Sequence, residues 1–190
     1  RERRIDLNKR YNDLAEKIVG RRLLQEKYPE PDSYLPGLRG IGEVFGGEYV
    51  FDGNVTWLKG SCSTPEELEA VLDRVDKMDI RDFILPKNWE SEKRRVFEKY
   101  GKKPGLWRHV RGPVTLATSI YRVENLIFLY YDEPELNERF SKTILNVLHA
   151  YIDTANEEAG YTHETAPHGF SFADDDCNLL TPEMYERFGY

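Results

Sequence analysis

The first 27 residues place apolar positions among charged ones at the spacing of an amphipathic helix. The apolar side chains that follow this spacing are Ile5, Leu7, Tyr11, Leu14, Ile18 and Leu23. The stretch contains no proline, and its first glycine is Gly20. The pattern therefore predicts one amphipathic helix over residues 3–27, with Gly20 as the point at which it could break.

Irregular backbone and then a hairpin are predicted for the next two segments. Residues 29–47 hold three prolines and five glycines but neither of the glycine-rich phosphate-loop motifs, so a loop with a short helix start is expected. Residues 48–60 are rich in β-branched and aromatic side chains around Asp52 and Gly53. That composition is typical of a β-hairpin.

Two helices are predicted from their end signals. Ser63 or Thr64 can cap a helix that has Pro65 in its first turn and acidic residues directly after it, where the positive end of the helix dipole favours them. Residues 88–105 form a charged helical pattern that Gly101 would end.

The second half of the chain alternates strand and helix patterns. Residues 106–110 form a short apolar strand that runs through Gly112–Pro113 directly into a helical segment. A long amphipathic helix follows and ends at Gly160, and after it come a weak strand with an acidic tip and a helix capped at Thr181. This order predicts an α/β fold with a parallel sheet.

Chain length limits the form of that sheet. A closed (β/α)8 barrel needs about 250 residues, whereas this chain has 190. We therefore expect either an open sheet or part of a barrel, in a single domain. Residues 1–60 would form a lead-in of helix, Gly/Pro-rich loop and strand, and residues 61–190 would form the βα units.

Composition narrows the classes of partner. The formal net charge of −7 gives no overall attraction for nucleic acid or anionic lipid, and no stretch reaches the roughly 20 apolar residues that a membrane helix needs. Two cysteines without a pairing framework are typical of a reducing compartment. The sequence thus predicts a cytoplasmic protein without a nucleic-acid or membrane partner.

The acidic run at residues 174–176 is the first candidate for chemistry. If it continues a strand, Asp174 and Asp176 share one face and Asp175 the other. Two carboxylates so close would raise the pKa of one of them, which suits general acid or base catalysis or the binding of a cation. The alternative is a solvated loop leading into a helix, where acidic residues are favoured in any case.

Polar residues before the acidic run are candidates for substrate binding. His163, Glu164, His168 and Cys177 have metal-binding side chains, but the two histidines are five residues apart with a proline between them, unlike the helical pair of a zinc site. We expect His163, Glu164 and His168 to contact a substrate instead, and we assign no metal ligand in this chain.

Arg108 and His109 are further candidates on the preceding strand. Alternation sends them to opposite faces, so only one can point into a barrel. A buried arginine or histidine needs a partner, which could be an anionic substrate or a structural carboxylate. Both residues are predicted to bind substrate.

Several motifs in the same order resemble the uroporphyrinogen decarboxylase superfamily. The segment from Arg111 to Phe140 (RGPVTLATSIYRVENLIFLYYDEPELNERF) is similar to three consecutive elements of that family. These are a strand that ends in a Gly-Pro turn, a helix that begins with Thr-Leu-Ala, and an acidic Pro-Glu-Leu motif that begins the next helix. Residues 172–188 (FADDDCNLLTPEMYERF) are similar to the part of the family that comes next, an acidic strand end followed by a helix that begins with Thr-Pro-Glu. Residues 41–52 (IGEVFGGEYVFD) and the helix after Pro65 also occur in the family's order.

The resemblance implies a (β/α)8 barrel of which this chain covers roughly the first half. Asp174 matches the family's acidic strand-end position, with Asp176 second, and both are expected to be catalytic. Family members include enzymes that remove carboxyl groups from a tetrapyrrole without a cofactor, and zinc-dependent methyltransferases that act with a corrinoid protein. We expect the missing half of the barrel, or a second copy of the chain, to cover the open sheet edge.

Two departures separate the branches of the family. The arginine-rich N-terminal segment of the decarboxylases has no counterpart in residues 1–40, which favours methyl transfer between a small methylated substrate and a corrinoid protein. The zinc ligands of that branch are expected outside this chain. A tetrapyrrole carboxy-lyase and a binding subunit without catalytic activity are the alternatives.

Overall fold

The computed structural model describes residues 1–53, 55–106, 109–162, 164–169 and 171–188. Helices in these ranges are α1 (Glu2–Val19), α2 (Ile41–Val44), α3 (Pro65–Val75), α4 (Ile80–Ile84), α5 (Trp89–Tyr100), α6 (Pro113–Tyr121), α7 (Val123–Asp132), α8 (Pro134–Glu158) and α9 (Pro182–Phe188). Short 3₁₀ helices cover Pro31–Ser33 and Asp175–Leu179. The strands are β1 (Glu48–Asp52), β2 (Val55–Lys59), β3 (His109–Arg111) and β4 (Ser171–Ala173).

Helix α1 is shorter than the pattern predicts. Gly20 adopts a left-handed conformation with φ of 72°, which a residue without a side chain adopts at little cost and which commonly ends a helix. The chain then folds back along α1, where the buried Asn12 side chain accepts the backbone N–H groups of Leu23 and Leu24 at 2.9 and 2.8 Å. The helix therefore ends at the break that the pattern allowed at Gly20, and it does not continue to residue 27 because the Asn12 side chain holds Leu23 and Leu24 against α1.

The predicted hairpin is present. Strands β1 and β2 pair antiparallel from Glu48 with Lys59 to Asp52 with Val55. Tyr49 and Leu58 lie against the backbone at Gly40 and Gly42, where a Cβ atom would meet their side chains at under 3 Å. The inner face of the hairpin therefore packs on α2.

Helix α3 begins where its cap signals predict. The Thr64 side chain accepts the backbone N–H of Glu67 at 3.3 Å, and the Glu67 carboxylate accepts the backbone N–H of Ser63 at 2.8 Å. The first bond satisfies an amide of the first helical turn, and the second holds the residue before the cap on the helix.

Strands β3 and β4 are parallel neighbours, with Val110 opposite Phe172. Helices α6, α7 and α8 connect them, so the second half of the chain has the βα connection expected of a parallel sheet. Strand β3 begins at His109, and Trp107 and Arg108 lie outside the described residues. In the described ranges the strands form two separate pairs, and the eight-stranded barrel stays a prediction.

Helix α8 is the centre of the hydrophobic core. Its Phe140 is fully buried and makes edge-to-face contacts with Phe45, Tyr121 and Phe188, at centroid distances of 6.4, 6.4 and 5.5 Å. Each such contact adds about 1 kcal/mol beyond the area it buries. These contacts join α8 to the segments before, between and after the parallel strands.

Candidate functional site

The Gly112–Pro113 turn joins the carboxyl end of β3 to helix α6. The Gly112 N–H donates to the Ala173 carbonyl at 2.6 Å, which continues the β3–β4 pairing by one bond, and the Gly112 carbonyl accepts the N–H of Leu116 at 2.9 Å. Pro113 occupies the first helical position, where its missing N–H costs nothing. The amino end of α6 is thereby held at the carboxyl ends of both strands.

Asp174 follows β4 directly and lies against this turn. Its Oδ1 accepts the backbone N–H of Thr115 at 2.7 Å, so the carboxylate caps the positive end of α6. A Cβ atom at residue 112 would lie 2.5 Å from the Cβ and Cγ atoms of Asp174. Only glycine at position 112 therefore leaves room for the aspartate.

The second carboxylate oxygen of Asp174 has unused hydrogen-bonding capacity. Oδ2 is buried without a hydrogen-bond partner, a state it shares with Asn156 Oδ1 in the described part of the chain. Leaving a buried acceptor without a partner costs about 1–3 kcal/mol. A ligand hydrogen bond to this oxygen would offset that cost once the groups that close the oxygen from solvent move aside.

Asp176 contacts the same helix. Its carboxylate accepts the hydroxyl of Thr118, and its N–H donates to Thr115 Oγ1 at 3.1 Å. Asp175 is exposed. Asp174 and Asp176 do share one side, but strand alternation is the wrong reason, because the backbone turns into a 3₁₀ helix at Asp175.

The two aspartates therefore differ in the hydrogen-bonding capacity that remains for a ligand. Asp176 binds α6 through its hydroxyl and amide contacts and serves to hold the 3₁₀ segment on the helix. Asp174 combines a helix cap with one unpartnered oxygen. We take Asp174 as the better candidate for a ligand-binding carboxylate.

Arg111 and His109 lie on the face of β3 opposite Val110. The Arg111 guanidinium donates to Ser119 Oγ at 2.6 Å, and the Ser119 hydroxyl donates to the Thr115 carbonyl at 2.7 Å. His109 Nδ1 lies 3.1 Å from the hydroxyl oxygen of Ser171 on β4. A basic and polar strip thus runs along this face toward the aspartates.

The other predicted substrate-binding residues lie before β4 or outside the described residues. Glu164 and His168 are exposed in the loop that precedes β4, whereas Asp174 and Asp176 follow that strand. Arg108 and His163 lie outside the described residues, and their assignments stay predictions.

An apolar cavity of about 240 Å³ adjoins the turn on the α8 side of the strands. It is lined by Val110, Arg111, Gly112, Pro113, Leu145, Leu148, His149, Ile152 and Phe172. Apolar walls beside one polar edge are typical of small-molecule sites, although those usually start near 300 Å³.

The described residues do not fit a zinc ion. They contain no group of three or more histidine, cysteine, aspartate or glutamate side chains that could hold a metal. Cys62 is buried and Cys177 is exposed, and burial raises the pKa of the Cys62 thiol. A raised pKa disfavours the thiolate that binds metal.

Sequence reasoning missed Thr115, Thr118 and Ser119. Their hydroxyl and amide groups connect α6 to Asp174, Asp176 and Arg111. The spacing of 115, 118 and 119 places them on one side of a helix, so the pattern after Gly112–Pro113 did carry a signal.

Comparison with protein-family models, with curated proteins and with solved structures gives no match for this chain. In the described part of the chain, no helix is both long and apolar enough to cross a bilayer.

Proposed function

We propose that this chain is part of an enzyme of the uroporphyrinogen decarboxylase superfamily, with the carboxyl ends of β3 and β4 on one side of its active site. Two features support the proposal: the parallel β3–β4 pair joined through helices, and an acidic residue directly after β4. Parallel α/β folds bind ligands at the carboxyl ends of their strands, which is where Asp174 lies.

The proposed reaction is methyl transfer between a small methylated substrate and a corrinoid protein. The observation that carries it furthest is the unpartnered Oδ2 of Asp174. That oxygen would accept a polar hydrogen of the small substrate, while the Thr115 amide holds the carboxylate in place through Oδ1. Orientation of this kind is a main source of rate enhancement when two molecules must meet.

No step is assigned to a metal. The described side chains do not assemble a zinc site, and residues that would hold zinc in this reaction would have to lie elsewhere. The role proposed for Asp174 is confined to binding and orienting the substrate.

The test uses methylcobalamin in place of the corrinoid protein and ethanethiol as acceptor, with zinc added. The methyl group would pass from cobalt to the thiolate sulfur, the Co–C electron pair would stay on cobalt, and the thiol proton would pass to the buffer. Loss of the methylcobalamin absorbance under anaerobic conditions measures the rate. The assay is made on the protein with its barrel complete, because the zinc ligands are expected outside these 190 residues. Absence of turnover in that folded, zinc-loaded protein contradicts methyl transfer.

Two variants separate the role of Asp174 from that of the acidic run as a whole. Asp174→Asn should lower kcat/KM by about tenfold or more, the effect of losing one hydrogen bond to a charged group. Asp175→Asn removes the same charge from an exposed side chain and should leave the rate unchanged. Equal losses in both variants would contradict a specific role for Asp174.

The second candidate is a tetrapyrrole carboxy-lyase, which the same carboxylate oxygen favours. A carboxylate without a cation beside it can accept pyrrole N–H groups and stabilise a protonated pyrrole. Incubation with uroporphyrinogen, followed by separation of the oxidised porphyrins by their number of carboxyl groups, tests it. A folded protein with its barrel complete that is inactive in both assays would favour the non-catalytic binding subunit.

A further inference from the structure

Helix α1 carries an apolar stripe that the described structure leaves uncovered. The stripe, called the α1 seam below, consists of Leu7, Tyr11, Leu14 and Ile18, whose exposed fractions lie between 51% and 73%. Their spacing of four, three and four residues places them on one side of the helix. A groove that follows the seam is also lined by Leu24. A continuous apolar face of this kind marks an interaction surface.

A row of basic residues borders the α1 seam. Arg3, Arg10 and Lys17 recur every seven residues, and the described structure gives none of them an ion pair. The acidic residues Asp13 and Glu16 of the same helix pair with Arg22 instead, at 2.8 and 2.9 Å. The helix therefore presents an apolar stripe bordered by a basic row. Asp6 and Asp13 lie beside this row, four residues before Arg10 and Lys17, but the described structure shows no ion pair between them and the row.

The hairpin carries a second uncovered apolar surface, with the opposite charge. The side chains of Val50, Val55 and Trp57 share its outer face. Val50 pairs with Trp57 across the hairpin, and Asp52, which lies two residues from Val50 and so on the same face, pairs with Val55. Their exposed fractions are 42%, 48% and 63%. The same face, called the outer hairpin face below, also carries Glu48, Asp52 and one cation, Lys59.

The two surfaces match in charge and spacing. A helical rise of 1.5 Å per residue separates Arg10 from Lys17 by roughly 10 Å along α1. A strand rise of about 3.4 Å separates Glu48 from Asp52 by roughly 14 Å. Flexible arginine and lysine side chains readily cover that difference, so both ion pairs can form while the α1 seam lies on Val50 and Trp57.

A contact between the α1 seam and the outer hairpin face would join two molecules. Both surfaces are exposed in one copy of the chain, so they do not cover each other there. Pairing between two α1 helices would give the basic row no opposite charge. Antiparallel pairing would bring the two basic rows together, and parallel pairing would place each row beside the uncharged Asn8 and Ala15 of the other helix. We propose that the α1 seam of one copy docks on the outer hairpin face of a second copy.

The charges predict specificity that can be measured by sedimentation equilibrium on the whole chain. We expect the unaltered protein to self-associate. Arg10→Glu should raise the dissociation constant by about tenfold or more, because it sets like charges against each other at the edge of the contact. Lys9→Glu makes the same charge change at an exposed position outside the seam and its basic row, and should leave the constant unchanged.

A charge exchange completes the test. The double variant Arg10→Glu with Asp52→Lys should recover association that Arg10→Glu alone has lost, because the two charges then attract again. Trp57→Glu should abolish association as fully as Leu14→Glu. Three results would each overturn the proposal. The first is a monomer at all concentrations, and the second is equal effects of Arg10→Glu and Lys9→Glu. The third is association that Leu14→Glu abolishes and Trp57→Glu does not, which would indicate pairing between α1 helices.

Discussion

Two largely buried carboxylates of this protein, Glu158 and Asp174, are treated in opposite ways by their surroundings. Glu158 ends α8 with a side chain that is 5% exposed. Lys93 Nζ and Trp89 Nε1 each donate to its Oε2 at 2.7 Å, and the Arg81 guanidinium donates to its Oε1. Both oxygens are satisfied, and the cluster joins the α4–α5 region to the end of α8.

Asp174 has no comparable set of partners in the described structure. One oxygen accepts the Thr115 amide, and the other is buried without a partner. A carboxylate that serves stability is expected to have its hydrogen-bonding capacity filled. The difference indicates that Glu158 is structural, whereas Asp174 combines a cap on α6 with one unpartnered oxygen. The function proposed above assigns that oxygen to a ligand.

The largest predicted effect is on the structural side of this comparison. Glu158→Gln keeps the shape but removes the charge that Lys93 and Arg81 neutralise, and should lower the free energy of unfolding by about 2–3 kcal/mol. The control is Glu157→Gln, whose side chain is 63% exposed and pairs with Arg81. That control should cost less than about 1 kcal/mol. Urea unfolding of the three proteins measures both values.

A second substitution displaces the Asp174 side chain without replacing the residue itself. Gly112→Ala places a Cβ atom 2.5 Å from the aspartate, so the side chain must leave its contact with the Thr115 amide. We expect a loss of about 2 kcal/mol in stability, the usual cost of overpacking, together with loss of the proposed activity. Gly105→Ala meets nothing within 4 Å and serves as the matched control; equal behaviour of the two variants would contradict the close approach.

The pH dependence of the free energy of unfolding should show that the ionised form of Glu158 stabilises the fold, as expected for a carboxylate with partners. Burial acts to raise the Glu158 pKa, but hydrogen bonds from Lys93 and Trp89 outweigh it and hold the pKa below its ordinary value of 4.5. A lowered folded-state pKa means that the carboxylate stabilises the fold above about pH 4.5 and loses this effect as the pH falls through the folded-state value.

The comparison that checks this is the difference between two unfolding curves. The stability advantage of the unaltered protein over Glu158→Gln should be constant at neutral pH and shrink as the pH drops below about 4.5. An advantage that persists unchanged at pH 3 would show that the charge of Glu158 does not contribute.

Elements with local end signals could be predicted from the sequence. The cap at Thr64, the glycine after Tyr100 and the turn at Asp52–Gly53 each act within a few residues, so a short window contains their physical cause. The break between α6 and α7 had no such signal. It occurs at Arg122, whose φ of 67° is rare for a residue with a side chain, so no local preference indicates it.

The candidate site was predictable only in part for the same reason. The acidic run pointed to Asp174 and Asp176, but the partners that distinguish them lie 58 to 61 residues earlier on α6. The Glu158 cluster joins residues 65 to 77 positions apart, and nothing in the local pattern separates Glu158 from the exposed Glu157. Burial of a particular carboxylate is set by tertiary packing, which periodicity does not specify.

The central claim is that Asp174 is kept for binding and not for stability, and one pair of unfolding measurements tests it most directly. Asp174→Asn retains an oxygen for the Thr115 amide and removes the buried charge, so the free energy of unfolding should change by less than about 0.5 kcal/mol or rise. Glu158→Gln, the same chemical change, should lower it by about 2–3 kcal/mol. A loss in Asp174→Asn as large as that in Glu158→Gln would contradict the account, because Asp174 would then be a structural carboxylate as well.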